Sequence, residues 1–284
     1  MQCIDYRDLS MTSLYIVATP IGNLEDITLR ALRVLREVDL IASENMSTTR
    51  KLLSNYNIKT KLTSYRENNK SIQIPHLLKA LQTHDVALVS EAGTPTISDP
   101  GYDLIIATRA LGIPIITLPG PSAVTAAIAV SGIQSQHFLY LGFLPRRSLQ
   151  RRKILKKVKA LPYTIVCFEA PHRLKKSLVD IHQMLGDRTV SIIREISKIH
   201  EEVFSGSVSK AIDHFQHPIG EFTLVIQGSQ QQPASVCTPH IVQELKDLKS
   251  LGIRAKAAVS TVEKSYGVPH KKVYKEWLQL NQEQ

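Results

Sequence analysis

Cysteine is scarce in this 284-residue chain: Cys3, Cys167 and Cys237 stand far apart, with no CxxC pair among them. That spacing excludes a disulfide framework and a thiolate zinc site. The ten histidines never form HExxH, so no metal is expected. Long apolar runs are missing too. The most apolar stretch, Ala123 to Ile133, is broken by Thr125 and Ser131 and falls well short of the ~20 residues of a membrane-crossing helix. The first residues carry Asp5, Arg7 and Asp8 where an export signal needs a basic start followed by an apolar run. A cytoplasmic, reducing setting without a membrane partner is the expectation. Neither GxxxxGK[ST] nor GxGxxG occurs, which removes the main support for a nucleoside triphosphate or dinucleotide site. The Gly-rich first loop of the common Rossmann-type methyltransferases is absent as well.

What the chain does have is positive charge. Lys and Arg outnumber Asp and Glu by 35 to 25, giving a formal charge of +10 and a pI near 9.5. Such a surface suits a polyanion, because each Lys or Arg set against a phosphate releases condensed counterions. A solvated Lys-rich surface produces the same composition, so charge alone does not name the partner.

Short β-branched runs alternate with amphipathic stretches. Leu14 to Ala18, Val86 to Ser90 and Ile113 to Leu118 read as strands, while Ile27 to Leu35 and Ile74 to Leu81 place apolar residues at helical spacing. This alternation predicts an α/β sheet with mostly parallel strands. The pattern restarts after Gly132, with strands near Phe138 to Leu141, Thr164 to Phe168, Thr189 to Arg194 and Glu221 to Ile226, and helices over Gln150 to Leu161 and His172 to Leu185. Two α/β domains are therefore expected, 14–134 and 135–228, after an N-terminal extension 1–13. A linker, 229–238, lacks periodicity. Beyond it, 239–284 reads as an all-α appendage of three short helices, the last two joined by Gly267-Val268-Pro269 like a helix-turn-helix.

Three Gly/Pro turns follow predicted strands. They are Ala18 to Thr28 (ATPIGNLEDIT), Glu91 to Tyr102 (EAGTPTISDPGY) and Leu118 to Ala123 (LPGPSA). In a parallel sheet, ligands bind at the carboxyl ends of strands, so three such loops predict one shared pocket. Gly93 permits close approach of backbone to a ligand, and Glu91 can accept from hydroxyl or amine groups or favour a cation.

ATPIGN, SEAGTPTISDPGY, LPGPSA, GFLPRR, FEAPHR, REISKIHEE and GEFTLVIQG, spread from Ala18 to Gly228, together resemble the tetrapyrrole methylase superfamily. Within it they are similar to the ribosomal RNA small subunit methyltransferase I branch. The resemblance implies two α/β domains with S-adenosylmethionine (AdoMet) in the cleft between them, a homodimer, and 2′-O-methylation of a cytidine in small-subunit ribosomal RNA or the 30S particle. Cofactor contacts are expected from Pro20, Gly22, Asn23, Glu91, Gly93, Thr94, Pro95, Ser122, Ala123 and Phe168. C-methylation of a tetrapyrrole precursor and a non-catalytic ribosome-assembly role are the alternatives. The chain departs from the family pattern in two places: Glu44-Asn45-Met46-Ser47 stands where Glu-Asp-Thr-Arg is usual, and Glu91 where Asp is more frequent.

Methyl transfer needs alignment above all, and a base helps because a ribose hydroxyl is a weak acid. Glu169 or His172 can take that proton, while Arg194 or Lys198 can hold a phosphate or a developing alkoxide. A structural ion-pair network is the other reading of these four. Arg146 to Lys159 holds eight Lys or Arg and no acid. Its Arg146, Arg147, Arg151, Arg152 and Lys153 are expected on RNA phosphates, with Leu149, Ile154, Leu155 and Val158 facing a core.

Overall fold

The structure, a computed structural model, describes residues 12–230 and 239–280. Cys3, Cys237, most of the expected extension and most of the linker lie outside the described residues. The first sheet contains β1 (Leu14–Val17), β2 (Leu40–Ser43), β3 (Lys61–Ser64), β4 (Val86–Val89) and β5 (Ile115–Leu118), in the order β3-β2-β4-β1-β5. All its pairings are parallel. β4 is buried at every position, as its unbroken VALV requires of a strand covered on both faces.

Two helical layers supply that cover. α1 (Leu29–Glu37) starts where the Thr28 hydroxyl accepts from the Ala31 amide, and α2 (Met46–Asn55) starts at Asn45. They lay Leu35, Leu52 and Leu53 against Val17, Ile41 and Val89. On the opposite face α3 (Lys70–Ala80) and α4 (Tyr102–Ala110) bring Leu77 and Leu104, with Leu81, against Leu14, Ile16 and Leu88. Since every strand runs the same way, the loops after β1, β2, β4 and β5 leave from one edge of the sheet.

The chain passes to a second sheet through α5 (Ala123–Val130), whose Val124 and Ala127 pack on Val166, Ile193 and Val225 of that sheet. This sheet holds β6 (Phe138–Phe143), β7 (Thr164–Glu169), β8 (Thr189–Arg194), β9 (Glu202–Ser207) and β10 (Phe222–Ile226), ordered β6-β7-β10-β8-β9. Here the expectation of mostly parallel strands does not hold: only β6 and β7 pair in parallel, and the other three pairings are antiparallel. The reason is local, because β8 and β9 are joined by the short segment 195–201, and so short a return forces antiparallel pairing. α6 (Ser148–Val158), α7 (Pro171–Leu185) and α8 (Val208–His214) complete the layer. Both sheets belong to one compact unit.

The second compact unit holds α9 (Pro239–Ser250), α10 (Ala255–Tyr266) and α11 (His270–Gln279). Leu245, Val259, Val262, Val273 and Trp277 form its own core. Gly267 ends α10 in the left-handed region at φ 66°, which a residue with a Cβ adopts at a cost. Val268 and Pro269 then lead into α11.

Candidate active site

The three Gly/Pro loops stack on one another at the strand ends. Thr19 and Gly93 exchange backbone hydrogen bonds at 2.9 Å in both directions, tying the loop after β1 to the loop after β4. Gly93 is left-handed at φ 77°, and a Cβ at Gly120 would lie 2.9 Å from the Ala18 Cβ. The loop after β5 thus sits on the loop after β1 only because position 120 has no side chain.

Below this stack and against the second sheet opens a cavity of about 410 Å³, within the size range of small-molecule sites. Among the described residues five carboxylates line it, Glu44, Glu91, Asp99, Glu169 and Glu221, and no Lys, Arg or His does. Glu169 is paired with Arg173 at 2.6 Å, and Glu221 with Lys198 at 3.1 Å. The remaining three face each other. The Glu91 amide donates to Glu44 at 3.1 Å, while the Glu91 carboxylate accepts from Asn45 Nδ2 at 2.9 Å and from the Thr48 hydroxyl at 3.2 Å. Burial, with Glu44 and Glu91 adding to it, pushes the Asp99 carboxyl up to about 7 against the opposing effect of the Ser90 hydroxyl. The apolar wall includes Ile97, Phe222 and the edge-to-face pair Phe143 and Phe168, whose ring centroids are 5.5 Å apart. Anionic groups without cationic partners beside flat apolar walls suit a ligand with a positive centre and a planar ring system.

Of the residues expected to hold a cofactor, Glu91, Gly93, Ser122, Ala123 and Phe168 line this cavity. Thr94 braces the loop stack through the Pro121 carbonyl at 3.4 Å. Pro20 and Pro95 do not line the cavity; each sits in the turn it punctuates. Gly22 and Asn23 line a neighbouring groove beside Glu195, Lys198 and His200. There Asn23 caps a short 3-10 turn, and a Cβ on Gly22 would come within 2.6 Å of Lys198 Cγ.

The four candidate catalytic side chains are not brought together. Glu169 is 1% exposed, and its carboxylate accepts from the Ala170 amide at 2.9 Å, from Arg173 and from the Ser177 hydroxyl. With both oxygens held in this way, it braces the β7–α7 turn. His172, at the exposed start of α7, is not on the cavity wall. Arg194 lies 3.1 Å from Glu202. Lys198 bonds Glu195 at 2.9 Å and Glu221 at 3.1 Å; burial works against its charge, but the two carboxylates outweigh that and raise its pKa.

Glu44 and Asp99, like Glu221, are cavity acids that sequence reasoning does not assign to the pocket. An Asp before Pro-Gly reads as a turn residue, and Glu44 reads as the end of a strand. The available signal is charge: both are acids in loops that leave the same sheet edge.

α6 carries the basic run. Arg146, Arg147 and Lys153 are exposed. Arg151 is 3% exposed and ion-paired with Asp180 at 2.5 Å, and Arg152 reaches the same carboxylate at 2.6 Å. Arg151 therefore faces inward, held by Asp180 and by the Pro145 carbonyl. Leu155 and Val158 are buried as expected, whereas Leu149 is 83% exposed; it lies in the first turn, on the solvent side of the helix.

Paired sheets around an acidic, aromatic-walled cavity define an enzyme for a small cationic cofactor. The chain belongs to the tetrapyrrole methylase family: residues 13–212 match the model of the Tetrapyrrole (Corrin/Porphyrin) Methylases. It is an AdoMet-dependent methyltransferase, and the cavity's carboxylates and small-residue loops fit that cofactor. The chain is 42% identical over 269 residues to ribosomal RNA small subunit methyltransferase I of Halalkalibacterium halodurans, covering 92% of this chain and 93% of that one. It is 49% identical over 223 residues to the protein of the same name from Thermotoga maritima, covering 78% and 100%. Among solved structures, a diphthine synthase superposes with a TM-score of 0.62 at 14% identity, covering 76% of this chain and 90% of that one. Uroporphyrin-III-C-methyltransferase from Thermus thermophilus gives 0.53 at 21%, covering 75% and 93%. At these identities the two structures speak for the fold alone.

Proposed function

We propose that this enzyme transfers the methyl group of AdoMet to the 2′-hydroxyl of a cytidine ribose in small-subunit ribosomal RNA, acting as a cytoplasmic homodimer. The observation that carries the reading is a contrast of charge. A chain with a formal charge of +10 encloses a cavity lined by five acids and, among the described residues, no base. The acidic interior suits a sulfonium cofactor and the basic exterior a polyanionic substrate. Relatives named for small-subunit ribosomal RNA methylation, matched over 93% and 100% of their own lengths, support the choice of RNA.

Ser122, Ala123 and Phe168 would hold the adenosyl part, and Glu44 and Glu91 the cationic part. When bound, the cofactor supplies an electrophilic methyl group. The protein supplies the fixed loops that align it and the exposed Arg146, Arg147 and Lys153 that hold RNA phosphates. Mass spectrometry of ribosomal RNA from a strain lacking the gene tests the proposal. Loss of one ribose methyl from a small-subunit cytidine is the expected result. An unchanged methylation map, or activity on a porphyrinogen with none on ribosomal particles, overturns it.

A further inference from the structure

Asp99 stands apart from the other four cavity acids in how it is held. Glu169 and Glu221 have cationic partners, and Glu44 and Glu91 accept hydrogen bonds from the Glu91 amide and from Asn45 and Thr48. Among the described residues, the groups that face Asp99 are Glu44 from the end of β2, Ser90 and Glu91 from the end of β4, and Tyr140 from β6, and none of these is a cation. The Ser90 hydroxyl itself points at the carbonyls of Ala92 and Gly93. Asp99 is thus a cavity-wall carboxylate with the Ser90 hydroxyl as its one hydrogen-bonding neighbour and no cationic partner among the described residues, which leaves acceptor capacity open.

Its backbone is fixed with some expense. Thr96 and Ser98 lie at φ 76° and 67°, and Gly101 at φ 146°. Each such non-glycine conformation costs on the order of 1–3 kcal/mol and persists only where the surroundings impose it. A Cβ at Gly101 would meet Thr96 Cγ2 at 2.7 Å and Leu88 Cδ2 at 2.9 Å. The Ser98 hydroxyl is 2.7 Å from the Tyr140 hydroxyl on β6, so the loop carrying Asp99 is tethered to the second sheet. A β-bulge between Tyr140 and Phe143 and Gly142 at φ 64° let β6 come this close, with Ser98 Oγ only 3.1 Å from where a Gly142 Cβ would lie.

We infer that Asp99 is the proton acceptor for the attacking hydroxyl, and that Tyr140 positions it through Ser98. The inference rests on the methyltransferase reading above. The hydroxyl oxygen forms its bond to the methyl carbon as the bond from that carbon to sulfur breaks, the electron pair staying on sulfur. The O–H proton passes to a carboxylate oxygen of Asp99. One cation and one anion become two neutral groups, so charge balances within the cavity, and the proton leaves to water afterwards. A carboxylate that titrates near neutrality suits this task, since a base works best when its pKa lies close to the working pH.

The test uses the full-length protein in single-turnover reactions with 30S particles, alongside calorimetry with AdoMet. Asp99→Asn is expected to transfer methyl on the order of 10²–10⁴-fold more slowly, a loss well beyond the weakening of AdoMet binding that follows from the missing cavity charge. The wild-type rate should rise with pH through an inflection below the cofactor-free value of about 7, because the cation of bound AdoMet favours the carboxylate, and that inflection should disappear in Asp99→Asn. Tyr140→Phe should lower kcat and keep the inflection. Independently of turnover, infrared difference spectra of the cofactor-free protein between pH 6 and 8 should show a carboxylic-acid band in wild type and lose it in Asp99→Asn. Wild-type rates in Asp99→Asn, survival of the inflection in that variant, or a rate loss matched by an equal loss of AdoMet affinity each overturns the inference. A wild type silent on ribosomal RNA with the infrared band present sinks the substrate assignment instead.

Discussion

Asn45 shows how a single side chain can serve both the fold and the pocket. Its Oδ1 accepts from the Ser47 and Thr48 amides at 3.0 and 3.3 Å, capping α2, while its Nδ2 donates to Glu91. An Asp would cap as well, but its second oxygen would confront the Glu91 carboxylate. The neutral residue at 45 and the acid at 91 are thus joined by one hydrogen bond. Asn45→Asp adds a negative charge next to the acids that already hold the Asp99 proton on. It should move the pH–rate midpoint upward by on the order of half a unit, and an unmoved or lowered midpoint refutes the coupling. Asp180 is the corresponding case in the interior. Burial would raise its pKa, but hydrogen bonds from Arg152, Ser148 and Arg151 outweigh burial and hold it below the usual carboxylate range. A depressed folded-state pKa means stability that is present above the unfolded value, about 3.9, and lost as pH falls through the folded one. Asp180→Ala leaves Arg151 buried and unpaired, a change worth about 3–5 kcal/mol. Urea midpoints should separate wild type from variant widely at pH 7 and less at pH 3. Arg151 looks in sequence like one more basic residue in a basic run; only the packing of α6 on α7 brings Asp180 to it.

At the scale of elements, the first sheet was legible because its chemistry is local. Continuous apolar runs such as VALV, each ending in a Gly/Pro turn, mark parallel strands and their ligand-bearing ends. Glu91, Gly93, Ser122 and Ala123 stand directly after those strands, and Phe168 near the end of β7 in the second sheet, which is why sequence places them on the cavity wall. The second sheet was less legible. β9, EVFSGS, is an edge strand with exposed positions and a glycine, so it offers no apolar alternation strong enough to reveal a hairpin. Glu44 and Asp99 gain meaning only across loops, for Glu44 and Glu91 meet while 47 residues apart in sequence. α6 presents a sharper expectation now that its faces are known. Neutralising the exposed Arg146, Arg147 and Lys153 together to Gln should flatten the plot of log affinity for RNA against log salt by ~0.7–0.9 for each phosphate no longer neutralised. AdoMet affinity should not change. Titrations at several salt concentrations decide it: an unaltered slope means that RNA is gripped elsewhere.

For the whole molecule, the acid cavity inside a basic protein couples the two substrates. RNA phosphates drawn to the surface by a charge of +10 must approach Glu44, Glu91 and Asp99, and a cationic cofactor offsets those charges. The demethylated cofactor has lost its sulfonium charge and offsets one charge fewer. At a separation of about 10 Å and an effective dielectric of about 20, one unit charge is worth roughly 1.7 kcal/mol to a phosphate, before screening. RNA should therefore bind on the order of tenfold more tightly to the enzyme carrying sinefungin, whose amine stands where the sulfonium would, than to the enzyme carrying S-adenosylhomocysteine. Linkage requires the reverse as well, so saturating RNA must favour the cationic analogue by the same factor. The difference should shrink as salt shortens the Debye length, and it gives product RNA a reason to leave after transfer. Fluorescence anisotropy with a small-subunit RNA fragment and the two analogues measures the ratio. Equal affinities at low salt would show that the cavity charge does not reach the RNA.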